Sequence, residues 1–162
     1  MHRSSRLHKT FVMSLLFAGG LVAAPVWAQS MAGSASVERA GFGRAVAVGQ
    51  SNVFVGEPAN NTKPGVVHVF SRGVKQGSWY QSAEIMAEGG EIGDRFGQSV
   101  AADGSTVLVG AAGEENAGVV FAFSRGDNGG WMQTARLSSD MPAEGEMFGA
   151  ALAVTGNLAV VG

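Results

Sequence analysis

Short apolar runs separated by glycine make up the chain after residue 40. They are rich in Val, Ala, Phe and Trp, and none shows the i, i+3, i+4 spacing of an amphipathic helix. Asp103-Gly104 and the "DNGG" at 127–130 lie between such runs, where a tight hairpin needs a positive φ. In the best-defined region the pattern predicts four strands, at residues 98–102, 106–111, 119–124 and 131–137.

The same pattern occurs three times. Phe-Gly pairs begin at residues 42, 96 and 148, which are 54 and 52 residues apart, and Val-Gly pairs at 55, 109 and 161 keep the same steps. "GVVHVFSRG" from residue 65 recurs as "GVVFAFSRG" from 118, and "WYQSAEI" from 79 recurs as "WMQTARL" from 131. A period near 50 is typical of propellers and solenoids, and four antiparallel strands form one propeller blade. We therefore expect an all-β fold of β-propeller blades.

The copies divide the chain into units. We expect copy 1 at residues 41–95, copy 2 at 96–147 and the start of copy 3 at 148–162, so that about 2.3 copies are visible. Because a closed propeller needs about four to eight blades, the visible propeller is incomplete, and we expect the rest of it beyond Gly162.

The Phe-Gly openings, the "VLVGAA" at 107–112 and the "GVVFAF" at 118–123 resemble FG-GAP repeats, which are best known from the integrin α-chain propeller and are abundant in bacterial exported proteins. The resemblance covers residues 41–162 and implies the fold, whereas blades of this type have many functions. Many FG-GAP blades carry an Asp-rich calcium loop, but the matching loops here, "VGQSN", "ADGST" and "VTGNL", hold one carboxylate, Asp103. Calcium takes about six to eight oxygen ligands, so we expect no metal and no cofactor, with Asp103 in a turn role.

The N-terminus has the features of a signal peptide. Basic residues at 3, 6 and 9 precede an apolar run at 11–26, and Val26 and Ala28 are the small residues expected before a cleavage site. We predict cleavage after Ala28, a linker at 29–40, and a secreted, periplasmic or cell-surface protein that is not an integral membrane protein. A membrane anchor is the alternative, disfavoured because glycine and proline interrupt the apolar run.

Charge and cysteine content limit the partners. Removing residues 1–28 leaves 8 basic against 13 acidic side chains, a net charge of −5, which argues against nucleic acid as a partner. The chain has no cysteine, so disulfides and thiolate metal sites are excluded.

The catalytic inventory is small. After cleavage His68 is the single histidine, and it aligns with Phe121 of copy 2, which favours a packing role with one ring nitrogen hydrogen-bonded. Asp94 and Glu146 occupy matching positions before a Phe-Gly, which favours a turn role over a glycosidase-like acid/base pair. One histidine cannot build a serine triad or a histidine metal cluster, so we predict that the protein is not an enzyme.

The aromatic residues also repeat. Trp79 and Trp131 occupy matching strand positions, which favours packing between blades, although a sugar-stacking platform formed by Trp79 and Tyr80 is an open alternative. The Phe-Gly phenylalanines are predicted to be core residues: Phe42, Phe96 and Phe148.

The loop after the Val-Gly does not repeat, since "EPANNTKPG" (57–65) corresponds to "AAGEENAG" (111–118). Propellers bind through variable loops, so the candidate binding residues lie here. We predict an exported, non-catalytic binding or adhesion scaffold for a protein or polysaccharide. The alternative is that these are accessory N-terminal blades of a larger secreted enzyme or anchored surface protein, with its active or anchoring part beyond Gly162. The candidates are Asn60, Asn61, Lys63, Glu114, Glu115 and Asn116.

Overall fold

A computed structural model describes residues 41–58, 64–75 and 77–162. The predicted signal peptide and linker, and the candidate residues Asn60, Asn61 and Lys63, lie outside the described residues. Within them the chain forms three antiparallel sheets in sequence order, and no helix there is long and apolar enough to cross a membrane. The protein is therefore all-β over its described length.

Sheets 1 and 2 each have four strands, and each strand pairs with the next along the chain. Sheet 1 consists of β1 (Val46–Val48), β2 (Asn52–Glu57), β3 (Val66–Arg72) and β4 (Trp79–Ile85). Sheet 2 consists of β5 (Phe96–Asp103), β6 (Thr106–Ala111), β7 (Val119–Arg125) and β8 (Trp131–Leu137). Sheet 3 is the hairpin of β9 (Leu152–Thr155) and β10 (Leu158–Val161).

The strands predicted in copy 2 are confirmed. β6 and β8 have the predicted bounds, β5 begins two residues earlier and ends one residue later than predicted, and β7 ends one residue later. The hairpin glycines have the expected positive φ, 57° at Gly104 and 80° at Gly129. Even the irregularity repeats, because the register shifts after Val69 in sheet 1 and after Ala122, the matching position in sheet 2. The sequence repeat is thus a structural repeat.

The main core lies between sheets 1 and 2. Since side chains alternate across a strand, Phe54, Val67 and Val69 of sheet 1 form one buried cluster with Val107 and other apolar side chains of sheet 2. Trp131 packs on this cluster edge-on to Phe54, with 5.2 Å between the ring centroids. The inter-sheet packing role predicted for Trp131 is confirmed.

The three Phe-Gly phenylalanines differ in burial. Phe96 is 1% exposed and packs against Phe121 and Phe123, with ring centroids 5.7 and 5.9 Å away, so its core assignment is confirmed. Phe42 and Phe148 are only half-buried, and for them the assignment to the core was wrong. Phe42 packs at the margin of a smaller cluster on the other face of sheet 1, and Phe148 borders an open cavity beside the two-stranded sheet 3.

Close backbone contact explains why the two glycine motifs recur together. A Cβ added at Gly56 would overlap the carbonyl oxygen of Gly97, and one added at Gly110 would overlap that of Gly149. The Val-Gly of one copy therefore packs directly against the Phe-Gly of the next copy, at a distance that excludes any side chain at Gly56 or Gly110. Both motifs must keep the same period for this contact to form.

Candidate binding surface at the loop edge

The two ends of the strands differ in their connections. At one end sheets 1 and 2 carry short turns, at residues 49–51, 104–105 and 126–130, which we call the turn edge. Because antiparallel strands alternate in direction, the Phe-Gly turns and the described parts of the longer connections lie at the opposite end. We call this end the loop edge; it comprises residues 41–45, 93–98, 111–118 and 145–150, together with Pro58. The described parts of the two predicted variable loops therefore lie at the same edge.

A one-turn 3₁₀ helix, Glu114–Asn116, forms the centre of the 111–118 loop. Its neighbours fix it on both sides: the Gly113 N–H donates to the Asp94 carbonyl at 3.0 Å, and the Gly145 N–H donates to the Asn116 carbonyl at 2.7 Å. Glu115 and Asn116 are exposed and have left-handed φ values of 52° and 59°. The loop is thus held between the entries to copies 2 and 3, and these two residues face solvent.

Arg136 binds both candidate glutamates. Its Nη2 lies 3.1 Å from Glu114 Oε1 and 2.9 Å from Glu115 Oε1. Desolvation raises the pKa of Glu114 above its ordinary value, although the Arg136 hydrogen bond opposes this, and the hydrogen bond to Glu115 raises the pKa of Arg136. Glu114 therefore joins the loop to β8, while the 68%-exposed Glu115 side chain remains accessible.

Trp79 and Tyr80 do not form a joint stacking platform. Trp79 is half-buried against Val53, Val55 and Phe70, and the Arg72 guanidinium carbon lies 5.6 Å from its ring centroid. Tyr80 is 55% exposed on the opposite face, because adjacent strand residues point to opposite sides of a sheet. The two rings cannot stack on the same sugar.

His68 forms a buried polar cluster on the face of sheet 1 that is turned away from sheet 2. Its Nε2 donates to Glu57 Oε2 at 2.8 Å, and the His68 and Glu57 side chains are 4% and 5% exposed. Glu84 Oε1 lies 3.3 Å from Nδ1 without hydrogen-bond geometry, and it accepts instead from Gln81 Nε2 at 2.8 Å. The Phe42 ring lies 5.3 Å from the imidazole. The predicted packing role with one bonded nitrogen is confirmed.

Sequence reasoning missed the partners of His68. The register aligns Glu57, His68 and Glu84 with Ala111, Phe121 and Arg136 of sheet 2, so the buried Glu57–His68 pair stands where sheet 2 has two apolar side chains. The joint change at three matching positions was the signal in the sequence. Among the described residues the polar partners of the ring are the carboxylates of Glu57 and Glu84.

The other acidic candidates have turn roles, as predicted. Asp94 Oδ2 accepts from the Glu91 N–H at 2.6 Å, and Glu146 Oε2 accepts from the amide three positions before it at 3.1 Å. Asp103 Oδ2 accepts from the Gly156 N–H at 2.6 Å and so joins the hairpin turns of sheets 2 and 3. Across the described ranges, no three histidine or carboxylate side chains are grouped as a metal site requires.

A cavity of about 330 Å³ opens at the loop edge. It contains matching positions from different copies: Arg44 and Gln98 correspond to each other, and Arg95 corresponds to Met147. This cavity is not evident from the sequence, because its residues are separated by about one repeat and none is unusual locally. The lining residues are Gly41, Arg44, Pro58, Arg95, Gln98 and Met147.

These features define an all-β repeat protein whose successive four-stranded antiparallel sheets pack through glycine contacts. The family model of the FG-GAP repeat matches residues 79–123, from the start of β4 into β7, and so spans the junction of sheets 1 and 2 around Phe96-Gly97. Residues 79–123 therefore carry an FG-GAP repeat, and the resemblance predicted from the sequence is confirmed over that stretch. A search of curated proteins gave no match.

Proposed function

We propose that this protein is an exported, non-catalytic β-propeller repeat scaffold that binds a protein or polysaccharide at its loop edge. One observation carries the proposal: the framework repeats closely between sheets 1 and 2, whereas the sequence of the loop after the Val-Gly, at the loop edge, does not. The 111–118 loop contains a 3₁₀ turn with two exposed left-handed residues, and copy 1 has the different sequence "EPANNTKPG" at the matching place. Variable loops on a constant framework are the usual arrangement of a binding surface.

The non-catalytic part of the proposal is supported by the partners of the titratable side chains. His68 and Glu57 bind each other, Glu114 binds Arg136, and Asp94 caps a turn. Each of these side chains forms a contact that stabilises the fold. Export is supported by the basic and apolar N-terminal sequence, and N-terminal sequencing of protein made in a bacterial host, expected to begin at Gln29, tests it.

The binding role can be tested with matched substitutions at the two edges. The full mature chain would be applied to an array of bacterial polysaccharides and cell-surface proteins, and any ligand would then be titrated against Glu115→Asn and Asp127→Asn. Both changes remove an exposed carboxylate, and asparagine tolerates the left-handed backbone at 115. We expect the loop-edge change to weaken binding by about tenfold, as for one lost charge-assisted contact, and the turn-edge change to have no effect. Equal effects of the two substitutions would refute the location.

A further inference from the structure

We propose that the loop-edge cavity binds an oxyanion group, a carboxylate or a phosphate, on a ligand of about monosaccharide size. The inference rests on the proposed function, because it names the chemistry that the binding surface recognises. The observations that carry it are the charge of the lining, the way the fold holds the two arginines, and the size of the cavity.

Among the described residues the lining is cationic and has no acidic member. Arg44 and Arg95 both line the cavity, both are exposed, and neither forms an ion pair within the described residues. The carboxylate next in sequence to Arg95, Asp94, accepts a backbone N–H, and Glu57, which precedes the lining residue Pro58, binds His68. Two positive charges therefore share one cavity with no neutralising side chain among the described lining residues, in a protein whose mature chain has excess negative charge.

The fold fixes the backbone of both arginines. Each belongs to the turn that precedes a sheet, and this turn is closed in the same way in both copies: the Arg44 N–H donates to the Gly41 carbonyl at 3.0 Å, and the Gln98 N–H donates to the Arg95 carbonyl at 3.0 Å. Arg95 has a left-handed φ of 58°, and the matching residue in copy 1, Gly41, also has a positive φ. The arginines come from different positions of equivalent turns, and the packing of sheet 1 on sheet 2 brings them to one cavity.

The shape and remaining lining suit a small ligand with one anionic group. A guanidinium presents a planar fork of N–H donors that matches two oxygens of a carboxylate or phosphate. Gln98 adds an amide, and Pro58 and Met147 supply apolar surface for the carbon skeleton. The volume of about 330 Å³ lies at the lower end of the range for small-molecule sites, about 300–1,000 Å³, which fits a single acidic sugar or a phosphorylated one.

The test is titration calorimetry of the full mature chain with three probes: glucuronate, inorganic phosphate and glucose. We expect millimolar or tighter binding of at least one anion, weakened by added salt, and no detectable binding of uncharged glucose. Arg44→Gln and Arg95→Asn should each lower the affinity for the anion by about tenfold. Asparagine is chosen at 95 because it tolerates a left-handed backbone. Lys75→Gln, which removes an exposed cation outside the cavity, is the matched control and should leave the affinity unchanged.

The outcomes separate the sources of the anion and the two proposals. Preference for glucuronate supports a uronate group, and preference for phosphate supports a phosphate group. Absence of binding by both anions, equal binding of glucose, or an equal loss in Lys75→Gln would overturn the inference, provided that circular dichroism melts show each variant folded. If Arg95→Asn unfolds, Arg44→Gln alone decides. A polysaccharide or protein ligand that depends on Glu115 but is insensitive to both arginines would leave the proposed function standing and overturn only the oxyanion site.

Discussion

The buried Glu57–His68 pair gives the sharpest test of the packing in sheet 1. Sheet 2 has Ala111 and Phe121 at the same positions, so the double change Glu57→Ala/His68→Phe installs a pairing that this fold already contains. His68→Phe alone leaves the Glu57 carboxylate without its hydrogen-bond donor, in a side chain that is 5% exposed. The single and double variants should therefore differ strongly in stability.

The expected sizes follow from the cost of a lone buried charge. Removing one partner of a buried ion pair costs about 3–5 kcal/mol of the free energy of unfolding, whereas replacing both partners by well-packed apolar groups is often neutral or stabilising. We therefore expect His68→Phe to lose about 3–5 kcal/mol and the double variant to lie within about 1 kcal/mol of the parent. Glu84 contributes less to the difference, because its side chain is 48% exposed and can be hydrated when the imidazole is removed.

Urea unfolding of the parent, both single variants and the double variant, followed by tryptophan fluorescence and circular dichroism, measures the coupling energy of the pair. Glu84→Gln is the control, since it neutralises the more exposed carboxylate while leaving the Nε2 contact to Glu57 in place. Additive single effects, or a double variant as unstable as His68→Phe, would show that the two side chains are not energetically paired.

Three further predictions use the same unfolding measurements. Gly56→Ala should lower the free energy of unfolding by roughly 1–3 kcal/mol, because its Cβ would overlap a carbonyl of the next copy. Gly49→Ala is the control: its Cβ would meet only ordinary contacts, so the change should stay within about 0.5 kcal/mol. Equal effects of the two substitutions would contradict the contact. Phe96→Ala should cost about 3–5 kcal/mol, and a loss below about 1 kcal/mol would refute its place in the core. The pKa of Glu114 is raised above 4.5 in the folded state, so the folded protein binds more protons than the unfolded protein just above that pH. The free energy of unfolding of the parent should therefore fall relative to that of Glu114→Gln as pH rises through this window. A difference between the two proteins that does not change with pH would contradict burial of the carboxyl beside Arg136.

The fold could be predicted from sequence because its information is local and repeated. Strands are marked by apolar residues and several hairpins by a glycine with positive φ, as at Gly104, Gly129 and Gly156, and the second copy confirms what the first indicates. Repetition also explains the error at Phe42 and Phe148. Aligning the copies gives every Phe-Gly ring the surroundings of Phe96, but burial depends on the neighbouring sheet, which differs between the three positions.

The candidate surface was predicted only in part, because its contacts join residues far apart in sequence. The position of Glu114 in a variable loop was visible in the sequence, but its ion pair with Arg136 required the register of β7 and β8. For the same reason the sequence singled out His68 and missed Glu57, which is 11 residues away and adjacent only after β2 and β3 pair. Strand pairing brings each of these side chains next to a partner that is distant in the sequence.

The proposed oxyanion site takes its lining from more than one copy, so no single copy contains it. The Gly56–Gly97 contact holds sheets 1 and 2 at a close and fixed separation, so equivalent turns of the two copies lie side by side. A residue in the turn of one copy therefore lies beside a non-equivalent residue in the turn of the next copy, as Arg44 and Arg95 do. Because the framework tolerates exposed side chains at these turn positions, but no side chain at Gly56, binding chemistry can change at the loop edge without changing the packing that supports it.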